Sequence, residues 1–369
     1  MPRGLIVLLG MTGLLVSVLA LRQFASILAP VLLALVLVIG VHPLTGILRR
    51  RGAPMWVAVT ITLIAVLALV LGLAAALALS VARLATILPT YQESFNQLID
   101  DVRSGLASLG VGQDQIRGAL EQISFSSIAS VVGGVLAGIA GAFSNLLFLL
   151  FVVTFMTLDA VGFSGRLSRA RQQRAEVVGA LDTFIHGTRS YLLVSTLFGL
   201  IVAAVDTGFL WLVGVPLPLL WGLLAFITNY IPNVGFIVGL VPSALLALLE
   251  GGPRLMAIVI VAYSVINFVI QSIIQPKFVA DAVNLSLTLT FLSLVFWAFV
   301  VGPLGAVLAI PLTLLAKALL LDVDPNTRWI SGLLVGGLVP PEEPDADEAP
   351  EIESDASTDR TAVTQPQLP

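Results

Sequence analysis

The sequence contains no cysteine. That excludes disulfides, thiolate nucleophiles and thiolate metal sites together. Histidine is almost as scarce, since His42 and His186 are the only two and lie far apart in the chain. Neither a metal nor any other cofactor is expected. Charge is the third shortage: Asp, Glu, Lys and Arg make up 11% of the residues, against about a quarter in a soluble domain. A G-x-x-x-x-G-K-[ST] phosphate loop is missing too, which argues against ATP hydrolysis. With no nucleophile–base pair in evidence, an enzyme is the least favoured class.

What fills the chain instead is apolar. Of 369 residues, 58% are hydrophobic, and the mean hydropathy is +1.04. Several runs exceed the ~20 apolar residues needed to cross a bilayer, so the chain reads as an all-α polytopic membrane protein. The net charge of −4 is misleading, because Glu342 to Asp359 holds nine acids and no basic residue. Elsewhere 18 basic residues face 13 acids, which suits basic cytoplasmic loops.

Along the chain, residues 1–82 hold three spans, Leu5–Leu21, Phe24–Val41 and Met55–Val81. Arg49, Arg50 and Arg51 lie between the second and third. The positive-inside rule places them, and the N-terminus, in the cytoplasm. No small-x-small cleavage site follows the first run, which therefore reads as a span and not a signal peptide. Residues 83–127 change character. Leu84, Ile87, Leu88, Tyr91, Phe95, Leu98, Ile99 and Val102 recur at the spacing of an amphipathic helix. A second short helix is expected from Asp114 to Ile123, and the slightly acidic insert is placed outside the cytoplasm. Residues 128–189 combine a fourth span with a basic helix carrying Arg166, Arg169, Arg171 and Arg174. That helix suits an interfacial position against anionic lipid, whereas nucleic acid is excluded as a partner because no polar domain accompanies it. Gly134, Gly138 and Gly141 in this span permit close helix approach. Residues 190–321 form the transport region, 322–338 a short C-terminal segment and 339–369 a disordered acidic tail.

Two blocks in the transport region are too long to be simple spans. Pro216–Leu249 has 34 residues, roughly 51 Å as a straight helix, against a hydrocarbon core ~30 Å thick. Pro232 and Pro242 interrupt it and release the carbonyls of Thr228 and Val238. Leu285–Leu321 has 37 residues and breaks at Gly302, Pro303 and Gly305. Both blocks run from a proline–glycine break to a second proline and a leucine–alanine run, like an imperfect repeat. Paired interrupted segments point to a transporter site. The expectation is about eight membrane segments, six full spans plus two broken or re-entrant helical hairpins, with eight full spans as the alternative. Both foldings leave the C-terminus in the cytoplasm.

Polar residues are few enough here to name. Asn229, Pro232, Asn233 and Gly235 sit at the first break, and Pro303 and Gly305 at the second. Tyr263, Asn267, Gln271 and Gln275 recur every four residues, forming one stripe on the helix between the blocks. Together, Asn229, Pro232, Asn233, Gly235, Asn267, Gln271, Gln275, Pro303 and Gly305 are the candidate substrate-binding residues. Asp206, a carboxyl inside the fifth span (Ser190–Val213), is the candidate for a coupling ion, with the membrane interface as its other reading.

These residues also carry a resemblance. The stretches LWLVGVPLPLLWGLLAFITNYIPNVGFIVGLVPSALLALLEGG and QPKFVADAVNLSLTLTFLSLVFWAFVVGPLGAVLAIPLTLLAKALL resemble the autoinducer-2 exporter family of bacterial membrane proteins. Ile231-Pro232 with Gly235, Gln275-Pro276-Lys277, and Gly302 to Gly305 with Pro311 match its pattern. Ala280 stands where a glycine is expected and Leu287 where relatives often carry proline; Asp206 is not taken from the family. The resemblance implies export of small molecules, autoinducer-2 among them, across the inner membrane. It also implies sodium- or lithium-proton antiport in some relatives, and a homo-oligomer, a pentamer among its forms. Three functions follow as expectations: a secondary exporter working by alternating access, a cation–proton antiporter, and a non-transport scaffold recruiting partners through its acidic tail.

Overall fold

The computed structural model describes residues 2–108, 125–231, 235–275, 285–324 and 327. The expected helix at 114–123, Pro232, Asn233, Lys277, Ala280 and the acidic tail lie outside the described residues. Residues 1–336 form one compact unit; 337–369 are a separate unit outside the description.

Every regular element among the described residues is helical. α1 (Arg3–Gln23) and α2 (Ala25–Arg50) are separated by a bend at Phe24. α3 (Met55–Ile87) passes through one 3₁₀ turn (Leu88–Tyr91) into the amphipathic α4 (Gln92–Ser108). α5 (Phe125–Gln173) bends by 65° between Leu146–Ala160 and Gly165–Gln173. That bend separates the apolar fourth run from the segment carrying Arg166, Arg169 and Arg171. Gly134 has nothing within 4 Å of where a Cβ would stand, so among the described residues no helix packs closely at that glycine.

α6 (Ala175–Leu212), α7 (Pro218–Thr228) and α8 (Gly235–Asn267) follow, and α8 continues through a π-helical turn (Phe268–Ile274). The second block gives α9 (Leu287–Val301), capped by Ser286, whose hydroxyl accepts from Leu289 N. Short α10 (Pro303–Val307) and α11 (Ala309–Lys317) then lead to a second π turn (Ala318–Asp322).

Among the described residues four helical stretches are long and apolar enough to cross a membrane: Ala25–Arg50, Met55–Ser108, Ala175–Leu212 and Gly235–Gln271, the last of them kinked at Gly251–Gly252. The bent pair in α5 makes a fifth if taken as one span. The expected total of about eight segments is therefore met only in part among the described residues. Pro218–Thr228 and Thr288–Val301 are apolar but shorter than a span. The outward faces are apolar, with Leu14, Leu79, Phe155, Leu193 and Trp211 all more than half exposed. Apolar surface on that scale belongs against lipid.

Both long blocks fold as helical hairpins. α7 packs on the start of α8, and α9 packs on α10 and α11. In each, one glycine permits the turn. A Cβ on Gly235 would stand 1.8 Å from Thr228 O, and one on Gly305 would stand 2.0 Å from Trp297 O. α8 is broken again at Gly251–Gly252, where Gly252 takes a φ of 70°, so its second half returns along the first. The main core collects around this zigzag: Val81 from α3, Leu210 from α6, Trp221 from α7, and Ala247, Val259 and Tyr263 from α8. The tip is tied to the insert, where the Tyr91 hydroxyl donates to Glu250 Oε2 at 2.5 Å. The second hairpin packs apart from this core, with Val300, Leu308 and Leu312 against Ala29 and Val36 of α2.

Gly235→Ala and Gly305→Ala are expected to lower stability by about 1–3 kcal/mol or more, because the new methyl forces backbone apart. Gly208→Ala, with open space around it, serves as control and should be neutral or slightly stabilising. Thermal unfolding of the three purified variants in detergent checks this.

Candidate functional site

α7 is too short to cross a bilayer because its C-terminal end is consumed by the break. The backbone freed there is satisfied within the protein. Thr228 O accepts from Ile231 N at 2.8 Å and Ile231 O from Gly235 N at 3.0 Å. Tyr230 O accepts from the Tyr191 hydroxyl at 2.8 Å. The Tyr230 hydroxyl is itself 2.6 Å from Thr196 Oγ1 on α6. The break is thus held on α6 from both sides, as irregular backbone in an apolar setting requires.

Asn229 is the first residue past α7 and points into the bundle. Its Nδ2 donates to Ser195 O at 3.0 Å, and its Oδ1 accepts from Gln271 Nε2 at 3.3 Å. Gln271 Nε2 also donates to Asn267 Oδ1 at 2.8 Å, and Asn267 Nδ2 donates to Tyr263 O at 2.9 Å. The stripe is therefore an amide ladder joining α8 to α7 and α6. Gln271 lies in the π-helical turn, a widening that shifts side-chain register and is frequent at functional sites.

The ladder forms one wall of a pocket whose other walls include Asp206 of α6 and Thr228 of α7. Asp206 is fully buried inside the protein, and Tyr263 keeps only 1% of its surface. Among the described residues neither carboxyl oxygen of Asp206 has a hydrogen-bond partner, and the Tyr263 hydroxyl has none in bonding geometry, although Ser243 lies close to it. A buried carboxyl in this condition needs a proton, a cation or a donated hydrogen bond. The pocket can meet those needs, and its amides can in addition bond a neutral polar ligand. Its volume is about 10 Å³, close to what one water requires (~10–15 Å³). A larger ligand enters only if α7 and α8 separate.

Four of the sequence-selected residues are thus gathered: Asp206, Asn229, Asn267 and Gln271. Gly235 is buried at the hairpin turn and acts through backbone approach. Gln275 follows the π turn, its backbone N donating to Ile270 O at 2.7 Å, and does not line the pocket. Pro303 and Gly305 belong to the second hairpin and do not line it either. Pro232 and Asn233 are outside the description. Tyr263, Thr228 and Phe236, which line the pocket, were not among the candidates. Tyr263 was visible as the first member of the stripe; Thr228 and Phe236 had no polar pattern to mark them.

Comparison with known proteins places the chain in a transporter family. Residues 5–323 match the family described as AI-2E family transporter. The chain is 30% identical to the "AI-2 transport protein TqsA" of Escherichia coli K12 over 310 residues, 83% of this chain and 89% of that one. It is 28% identical to the "Putative transport protein YhhT" of the same organism, over 85% of this chain and 90% of that one. A "Putative transport protein" of Haemophilus influenzae is 30% identical over 89% of this chain and 95% of its own.

Because Asp206 is buried without a partner among the described residues, Asp206→Leu is expected to raise the thermal midpoint, by the equivalent of about 1–3 kcal/mol for relief of an unsatisfied buried group. Differential scanning fluorimetry in detergent measures it. A comparable fall would mean that the native protein supplies the carboxyl with a stabilising partner.

Proposed function

Because the chain belongs to the AI-2E transporter family, we propose that it is a secondary exporter of a small polar solute, with autoinducer-2 as the candidate substrate. The name of one relative, TqsA, supports that choice. The observation that carries the reading is the half-buried amide ladder Asn229–Gln271–Asn267 facing the buried Asp206 at the break of a helical hairpin. Amides offer both donors and acceptors, which suits a hydroxyl-rich neutral ligand. We place the chain in the bacterial inner membrane with both termini cytoplasmic, a reading that rests on its basic loops, and as a homo-oligomer, which the resemblance implies. Alternating access is proposed to separate α7 and α8 from α6, opening the pocket first to one side and then to the other. Pro232, Asn233 and Gln275 flank the elements that would move. Pro303 and Gly305 would give the second hairpin its own hinge.

A second reading, cation–proton antiport, is favoured by the unpartnered, fully buried Asp206. In the exporter the same carboxyl would carry the coupling proton or cation.

Proteoliposomes holding the purified protein separate the two. Labelled autoinducer-2 and internal pH are followed together, with and without a sodium gradient. Asn229→Leu and Gln271→Leu are expected to cut solute flux roughly tenfold or more, equivalent to at least ~1.4 kcal/mol, without loss of folded protein. Asp206→Asn should remove the dependence on the ion gradient. Unchanged flux in both amide variants would sink the site, and a cation-driven pH change without solute flux would establish the antiporter.

A further inference from the structure

A larger pocket lies elsewhere in the bundle, among α2, α3 and α5, at the end of α2 that carries Arg49, Arg50 and Arg51. Its volume is about 100 Å³, several times the ~10–15 Å³ that one water needs on the same measure. Among its lining residues are His42, Thr45, Arg49, Thr62 and Thr157. Such a polar concentration is unusual in a chain with so few polar side chains. Nothing in the transport reading uses it.

The hydroxyls can be assigned by counting hydrogens. Thr62 Oγ1 donates to Ala58 O at 2.8 Å, so at its 2.9 Å contact with Thr45 Oγ1 it accepts. Thr45 has then spent its hydrogen and faces the pocket as an acceptor. Thr157 is 7% exposed. Its hydroxyl has no hydrogen-bond partner among the described residues, nor has the His42 ring or the Arg49 guanidinium. From α6, Arg189 reaches the same stretch of α2, where its Nε donates to Ile39 O at 3.4 Å. No acid lines the pocket. The neighbouring Asp159 is turned to Arg166, 4.0 Å away.

The site therefore offers a cationic fork, an imidazole and a buried hydroxyl as donors, one acceptor at Thr45, and an apolar floor of Val59 and Val66. We propose that this pocket binds a phosphate ester bearing a free hydroxyl: the phosphate on Arg49, His42 and Thr157, the hydroxyl donating to Thr45. Arginine's planar fork suits phosphate oxygens. A glycerol-type phospholipid headgroup and a soluble glycerol phosphate share this chemistry.

Thermal unfolding of the full chain in a zwitterionic detergent tests the site, since a ligand that binds only the folded state raises the midpoint. The probes are phosphatidylglycerol, phosphatidylcholine, sn-glycerol 3-phosphate and inorganic phosphate. Phosphatidylglycerol or glycerol phosphate is expected to raise the midpoint well above phosphatidylcholine. Arg49→Gln and Thr157→Val should each lose at least half of that shift, and Arg50→Gln should keep it. A shift from the lipid alone assigns a membrane source; an equal shift from glycerol phosphate assigns a soluble one. If Thr157→Val does not fold, His42→Phe takes its place with the same expectation. The proposal is overturned if neither ester shifts the midpoint. It is equally overturned if Arg50→Gln loses as much as Arg49→Gln while Thr157→Val loses nothing, the pattern of unspecific surface charge.

Discussion

The constraint on which the transport region depends is that backbone broken within an apolar bundle must find its hydrogen bonds inside the protein. At the end of α7 this is met by Ile231 and Gly235 amides and by the Tyr191 hydroxyl. Those bonds draw the break onto α6, and the same close approach sets Asn229 against Ser195. A polar group costs little once it is paired and several kcal/mol when it is not. The polar side chains of this region accordingly cluster where the backbone is irregular, each serving the next.

Asp206 and Tyr263 are the exceptions. They lie beside a ladder whose amides are mutually bonded, yet among the described residues their own oxygens have no partner in bonding geometry. A group kept at such a cost is expected to be functional, as ionisable residues within membrane helices commonly are. The ladder itself must give way for a solute to enter, because the pocket is near the size of one water. One of its bonds is long, 3.3 Å between Gln271 and Asn229, and is the one a ligand's hydroxyl would replace first.

The two hairpins share a construction and differ in use. In both, a glycine lies against a carbonyl seven or eight residues earlier, Gly235 against Thr228 and Gly305 against Trp297. The first turns toward the Asp206 pocket. The second is fastened by the Trp297 indole donating to Thr313 Oγ1 at 3.0 Å and rests on α2 and α6. The repeat is structural, and the polar chemistry is carried by one copy among the described residues.

Much of this was legible without a structure. Hydropathy and charge scarcity determined a polytopic helical protein, because a bilayer admits little else for runs of that length. Block length against bilayer thickness, with Pro232, Gly302 and Pro303 as breaks, pointed to hairpins. The four-residue spacing from Tyr263 to Gln275 put the amides on one face. Proximity between helices was not legible, since periodicity orients a side chain about its own axis and says nothing of its neighbour. Only the tertiary structure brought Asp206, two turns from the end of α6, beside Tyr263 and Asn267. It likewise separated Pro303 and Gly305 from Asn229 and gathered His42 and Arg49 of α2 with Thr157 of α5. Local pattern determines which face of a helix is polar; packing decides what that face meets.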